Sequence, residues 1–202
     1  MAKDFRTLDI AKKLFLKFGV KSVTMDDISK EAGISKKTIY SMVANKAQLI
    51  DFVVERYMAS ECIDLMKIKE EATDALDEMI KITEHVIYFL RNFKPSLTYD
   101  LKKYYKSSWD KVEKEHFSFI RQTIHDNIKR GKKEGIYRKV LKEEIISQLY
   151  LQLSYSLVND ELFPIKSFTK VELYENFIDY HMHGILSETG LEKYKDYKSN
   201  DK

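Results

Sequence analysis

The sequence predicts an all-α protein of about nine helices, with a small N-terminal helix-turn-helix ahead of a larger helical part. Three observations lead there. Only two prolines and six glycines punctuate 202 residues, and strand-rich folds need far more turn residues than that. Apolar side chains recur at helical spacing along nearly the whole chain. The breaks between these stretches carry helix caps, not hairpin turns.

The first helix is expected from Asp4 to Phe18, with Phe5, Leu8, Ala11, Leu14, Phe15 and Phe18 on one face. Gly19 supplies its C-terminal glycine. A second helix opens at Thr24. The run Thr24-Met25-Asp26-Asp27 resembles a capping box, in which the threonine hydroxyl accepts from the Asp27 amide and the acids suit the positive helix end. Ile28 and Ala32 point inward, and Gly33 stops the helix. Ser35 is an N-cap for a short third helix reaching Val43. Asn45 caps a fourth, with Gln48 at the reciprocal position, running on through Leu49, Phe52, Val53, Arg56 and Tyr57. Further helices are expected over 73–92, 96–105, 107–132, 142–159 and 170–189, with a break at Pro95 and a loop at Pro164. Residues 193–202 read as a polar tail that frays. The domains expected are 1–50, 51–192 and that tail.

Composition narrows the class. With 44 % apolar and 33 % charged residues the chain is globular. No apolar run approaches the roughly 18 residues of a membrane span, and the N-terminus has no signal-type stretch, so a cytoplasmic protein without a membrane partner is expected. A single cysteine, Cys62, excludes an intrachain disulfide and a multi-cysteine metal cluster. The net charge is +3, but residues 1–50 hold ten Lys/Arg against five Asp/Glu, a local +5, and no acid occurs from Ala32 to Ile50. A basic head points to a polyanionic partner.

The glycine turn at Ala32-Gly33-Ile34 joins two helices as in a helix-turn-helix. Ile28, Ala32, Ile34 and Ile39 can lock them together. That leaves Ser35, Lys36, Lys37, Thr38, Tyr40 and Ser41 on the outer face of the second helix. Such a helix fits the DNA major groove, with its N-terminal residues nearest the base edges.

The stretch from Val23 to Tyr40 and the sequel Asn45-Lys46-Ala47-Gln48-Leu49-Ile50 resemble the TetR family of transcriptional regulators. The resemblance implies that Thr24, Thr38, Tyr40 and Lys46 meet the phosphate backbone of double-stranded DNA. Lys36 and Lys37 open the recognition helix, and with Ser41 they are the candidates to read bases. Lys37 departs from the family, which often has glycine there. Val43 stands where many relatives have phenylalanine.

The resemblance also implies a second domain that binds an inducing small molecule and forms a homodimer, usually through the last two long helices. Leu149, Leu153 and Leu157, with Phe177, Tyr180 and Ile185, form apolar sets suited to a four-helix interface. The aromatic middle of the chain offers His85, Phe89, Tyr105, Trp109, His116 and Phe117 for a ligand pocket. Core packing is the competing reading for each. Repression relieved by an inducer is the family's usual mode.

No catalytic, cofactor or metal site is expected. His181 and His183, two apart on a helix, point about 200° from one another, unlike the spacing of four in a zinc-protease motif. The rival to a DNA-binding protein is a helical interaction module without specific DNA binding.

Overall fold

The computed structural model describes residues 5–92, 96–159, 161–164 and 166–200. The expected first helix start at Asp4, the aromatic Phe93, the break at Pro95 and the last two tail residues lie outside them. The helices are α1 (Phe5–Phe18), α2 (Met25–Ala32), α3 (Lys36–Met42), α4 (Lys46–Glu71), α5 (Ala75–Asn92), α6 (Ser96–Tyr104), α7 (Lys106–Lys111), α8 (Phe117–Lys133), α9 (Glu143–Ser156), α10 (Lys170–Ile185) and α11 (Glu188–Asn200). A π-helical turn, Val112–His116, joins α7 to α8. The single expected helix over 107–132 is therefore interrupted. Among the described residues the only strand-like feature is an isolated bridge between Tyr137 and Leu186.

The chain divides into two compact units, one of residues 1–63 with 92–116, the other of 64–91 with 117–202. The boundary expected after residue 50 falls inside α4, whose helix runs on for between three and four more turns before the division at 63. A motif marks where a function sits, whereas packing decides where a unit ends.

In the first unit, Leu8, Ala11 and Phe15 of α1 are buried, as are Ile28 of α2, Ile39 of α3 and Leu49, Ile50 and Val53 of α4. α2 packs on α1 and α3 packs on α2. Burying one such aliphatic side chain stabilises by about 1.5–3 kcal/mol, which holds together helices too short to persist alone. Asp9 pairs with Arg56 through two hydrogen bonds of 2.8 and 3.0 Å, fastening α1 to α4. The Ser108 hydroxyl donates to Asp51 at 2.6 Å and Lys111 to Glu55 at 2.7 Å, fastening the α7 segment to α4.

The second unit has an apolar core that includes Leu76, Met79, Ile124, Ile128, Tyr150, Tyr174, Phe177 and Met182. α8 packs against α9 and α9 against α10. A buried polar knot crosses this core. The Tyr137 hydroxyl donates to the Ala75 carbonyl at 2.8 Å and lies 3.0 Å from Asn127 Oδ1. Arg130 donates to Glu78 at 3.0 Å, to Glu134 at 2.8 Å and to the Ala72 carbonyl at 3.0 Å. Glu78 is fully buried, and burial raises its pKa even beside Arg130.

The segment expected to fray is ordered helix as far as Asn200. Tyr194 is buried, Lys193 pairs with Asp74 at 2.9 Å, and the Tyr197 hydroxyl donates to Glu84 at 2.8 Å. Leu191, Tyr194 and Tyr197 recur every third residue, which aligns them along one face. The surrounding Lys and Asp residues mask that pattern in composition.

Gly131 allows the close approach of Tyr137. A Cβ there would sit 2.2 Å from the ring, and the ring is held in the core by its hydroxyl's hydrogen bond to the Ala75 carbonyl. Gly131→Ala is expected to cost about 1–3 kcal/mol in urea unfolding. His181 is buried, its Nε2 has no hydrogen-bond partner among the described residues, and burial takes its pKa down to about 4. The unfolded chain takes up this proton near pH 6.5 and the folded chain does not. The stability held above pH 6.5 is thus lost as the pH falls toward 4, by about 3 kcal/mol in total. A pH series of unfolding curves should show this loss reduced in His181→Leu.

Candidate nucleic-acid interface

The interface is built from three short caps. Thr24 is extended at φ −100° and its hydroxyl accepts from the Asp27 amide at 3.2 Å. Asp27 returns the contact, accepting from the Thr24 amide at 2.8 Å and the Thr24 hydroxyl at 2.7 Å. The hydroxyl and amide hydrogen bonds hold the Asp27 carboxyl below its ordinary pKa. The expected box is therefore complete. At the other end of α2, Gly33 takes the left-handed conformation at φ 67°. The Gly33 amide donates to Lys30 and the Ile34 amide to Ser29, a Schellman turn that closes the helix and redirects the chain.

Ser35 then caps α3, accepting from the Thr38 amide at 3.0 Å. Ile39 is the one buried residue of α3. Lys36, Lys37, Thr38, Tyr40 and Ser41 are all exposed, and Tyr40 keeps 49 % of its surface in solvent. The Ser41 hydroxyl donates to the Thr38 carbonyl at 2.7 Å. At the fourth helix, Asn45 Oδ1 accepts from the Gln48 amide at 2.9 Å, while Gln48 Oε1 accepts from Ala44, one residue earlier than a reciprocal box requires.

Two of the lysines are engaged in ways that the sequence does not reveal. Lys36 pairs with Asp26 at 2.6 Å, bridging the two helices of the motif. Lys46 donates to the Val20 carbonyl at 2.6 Å and lies 3.5 Å from the Lys21 carbonyl. Desolvation lowers its pKa. The residue expected as a phosphate clamp is thus also a brace for the α1–α2 loop. Lys37 makes no hydrogen bond or ion pair among the described residues, so its charge is presented outward. Sequence reasoning missed Asp100 of α6, which is 7 % exposed and accepts from the Lys21 amide at 3.0 Å. A lone aspartate far along the chain carries no local pattern that could have flagged it.

Val43 is buried as expected. A narrow apolar cleft of about 20 Å³ lies beside it, lined by Thr7, Leu8, Ile39, Met42, Val43, Leu49 and Phe52.

The candidate pocket residues divide between the two units. Tyr105, Trp109 and His116 belong to the first, where Trp109 is buried and His116 lies 6.1 Å from Tyr57, ring to ring. Burial lowers the His116 pKa. His85, Phe89 and Phe117 belong to the second, where Phe89 packs on the core and Phe117 lies 5.0 Å from Tyr155. Of the candidate dimer residues, Leu149, Leu153 and Tyr180 are exposed, at 51 %, 41 % and 74 %. Leu157, Phe177 and Ile185 are corrected to core positions: all three are buried in the second unit. α10 is apolar on more than one side, and apolarity alone does not say which side meets its own chain. Ile145, 52 % exposed, joins Leu149 and Leu153 as a ridge at spacing four that the sequence reading overlooked. Cys62 is half-buried, and burial raises its thiol pKa. Among the described residues no group of three His, Cys, Asp or Glu could hold a metal, and no helix is long and apolar enough to cross a membrane.

A capped short helix with a basic outer face, turned by a left-handed glycine onto a buried partner, defines a helix-turn-helix DNA-binding protein. Residues 8–52 match the family model described as bacterial regulatory proteins of the tetR family. The N-terminal segment is thus similar to the DNA-binding segment of TetR-type transcriptional regulators. It is 25 % identical, over 83 % of its length and 87 % of the relative's, to the uncharacterized HTH-type transcriptional regulator YvaF of Bacillus subtilis. Its fold is similar to a TetR-family regulator from Agrobacterium tumefaciens, with a TM-score of 0.75, 14 % identity and coverage of 92 % of this chain and 98 % of that one. It is also similar to FadR from Bacillus subtilis, solved with stearoyl-CoA, with a TM-score of 0.68, 16 % identity and coverage of 90 % and 98 %.

The two lysine roles separate in stability. Lys46→Ala leaves two loop carbonyls without their donor and should cost about 1–2 kcal/mol. Lys37→Ala should stay within about 0.5 kcal/mol of the parent. Paired denaturation curves measure both.

Proposed function

We propose that this regulator binds a two-fold symmetric operator in double-stranded DNA as a homodimer, represses transcription there, and is released by a small-molecule inducer. The observation that carries the reading is α3. It keeps one residue, Ile39, for the core and turns all its polar side chains outward. Lys37, with no partner of its own, is assigned to base edges along with Lys36 and Ser41. Lysine donates to guanine O6 and N7 in the major groove. Ser35, Thr24, Thr38, Tyr40 and the second donor direction of Lys46 are assigned to phosphates, which fix register without reading sequence. The work is done in the cytoplasm, where the chromosome is.

The exposed ridge of Ile145, Leu149 and Leu153 on α9, with Tyr180 on α10, supports the dimer. Contiguous exposed apolar side chains mark association surfaces. A single seven-residue helix covers too few base pairs for a specific site, and a second copy doubles the contacts in mirror register. Half-buried His116, at the end of the π turn and beside Tyr57, supports an inducer site in the first unit, since such turns recur at functional sites. FadR, of the same fold, holds stearoyl-CoA, which makes a ligand with an apolar chain the first class to screen.

Selection of duplexes from a random pool tests the reading. An inverted repeat with half-site centres one helical turn, about 10 bp, or a multiple of it apart is expected. Lys37→Ala should alter the preferred bases, whereas Tyr40→Phe should weaken all sequences alike. Recovery of no preferred sequence would overturn the operator. Leu149→Glu with Leu153→Glu should give a monomer in sedimentation, and a dimer that survives them would move the interface elsewhere.

A further inference from the structure

Outside the motif, the first unit carries a second basic surface that the helix-turn-helix does not account for. Tyr99 and Tyr104 of α6 are exposed, at 57 % and 44 %. Lys103 donates to the Tyr99 hydroxyl at 2.7 Å, with its ammonium 5.1 Å from that ring and 5.4 Å from the ring of Tyr104. Lys21 lies over the other edge of the same stack, 4.9 Å from the Tyr104 centroid and 3.4 Å from its hydroxyl. Cations thus alternate with aromatic faces along one row. The acid on this stretch of α6, Asp100, is buried against the Lys21 amide and is outnumbered by the two exposed-side lysines of the row, Lys21 and Lys103.

The row is continuous with the motif. Lys21 stands three residues before the Thr24 cap, and its carbonyl lies 3.5 Å from the Lys46 ammonium. The path Lys46, Lys21, Tyr104, Lys103, Tyr99 passes from the start of α4 to α6 without leaving the first unit. Asp100 and Lys46 grip the Lys21 peptide from its amide and carbonyl sides, which keeps the row in register with Thr24.

We propose that this Lys–Tyr row on α6 and the α1–α2 loop is an auxiliary phosphate-binding surface that contacts the DNA backbone outside the recognised half-site. Fixed ammonium groups and phenol hydroxyls are phosphate donors, and none of them reads a base. Cation–π stacking holds the two ammonium groups in place while leaving them hydrated enough to exchange water for phosphate. The surface adds affinity that depends on flank length and salt and is indifferent to flank sequence. This inference rests on the DNA-binding reading above.

The test uses the full-length protein and the duplex it selects from a random pool, trimmed to the half-sites or extended by about one helical turn, 10 bp, at each end. Wild-type protein should bind the extended duplex about tenfold more tightly near 100 mM salt. Lys21→Gln with Lys103→Gln should bring the ratio of the two affinities near one and reduce the salt slope on the extended duplex by about 2. Lys37→Ala should weaken both duplexes in proportion and leave the ratio standing, which separates this surface from the motif. Tyr104→Phe should lower the ratio partway. Equal wild-type affinity for the two duplexes overturns the proposal while leaving the motif intact. So does a length preference that survives the double lysine variant. If neither duplex forms a complex, both readings fail together. Binding of the row to vesicles of phosphatidylserine without flank dependence on DNA would assign it to a membrane surface and overturn it as well.

Discussion

Everything at the DNA-facing end depends on one constraint: a helix of seven residues cannot hold its own shape in water. Nucleation leaves its first amides and last carbonyls unpaired, and only a handful of internal bonds repay that loss. α3 is stable because its surroundings supply what it lacks. Ile39 anchors its middle, Ser35 closes its start, and the Schellman turn at Gly33 delivers the chain at the right angle. The outer face is thereby left without a structural duty. Apart from Lys36, which bridges to Asp26, the helix side chains there can be chosen for a partner because the core and the cap keep the helix in place.

The same logic extends backwards through the chain. The position of α3 follows from α2, whose start is fixed by the reciprocal contacts of Thr24 and Asp27. The approach to Thr24 is set in turn by the Lys21 peptide, gripped by Asp100 and Lys46. Rigidity is thus passed along by hydrogen bonds to backbone groups, short in sequence except for those of Lys46 and Asp100. Asp100 lies 79 residues from Lys21, and it makes the arrangement of the motif answerable to α6.

What could be read from the sequence follows this division between local and distant. The caps at Thr24, Ser35 and Asn45 and the turn at Gly33 involve partners within five residues, so residue order alone reveals them. The outward set on α3 follows from the same periodicity. The reach of Asp100, the brace made by Lys46 and the pairing of Lys36 with Asp26 depend on how helices meet, and no periodicity encodes that. Three of the six dimer candidates, Leu157, Phe177 and Ile185, lie in the core for a related reason. Phe177 and Ile185 are as apolar as Leu149, but they are buried in their own unit, and hydrophobicity does not distinguish a neighbour in the chain from a second copy. α11 was overlooked because Tyr194 and Tyr197 are diluted among lysines, although their spacing marks a buried edge.

The ion pair between Lys36 and Asp26 gives the recognition helix a resting position. An unpaired lysine facing a mismatched base would seek any acceptor and would hold the protein on the wrong sequence. Lys36 already has an acceptor 2.6 Å away, so on an incorrect site it gives up nothing by staying home. As a base reader it would transfer only when a base offers more than a half-exposed carboxylate does. On the proposed DNA-binding reading, Asp26 would then be the reference against which each site is weighed, and the pair would lower the grip on random DNA.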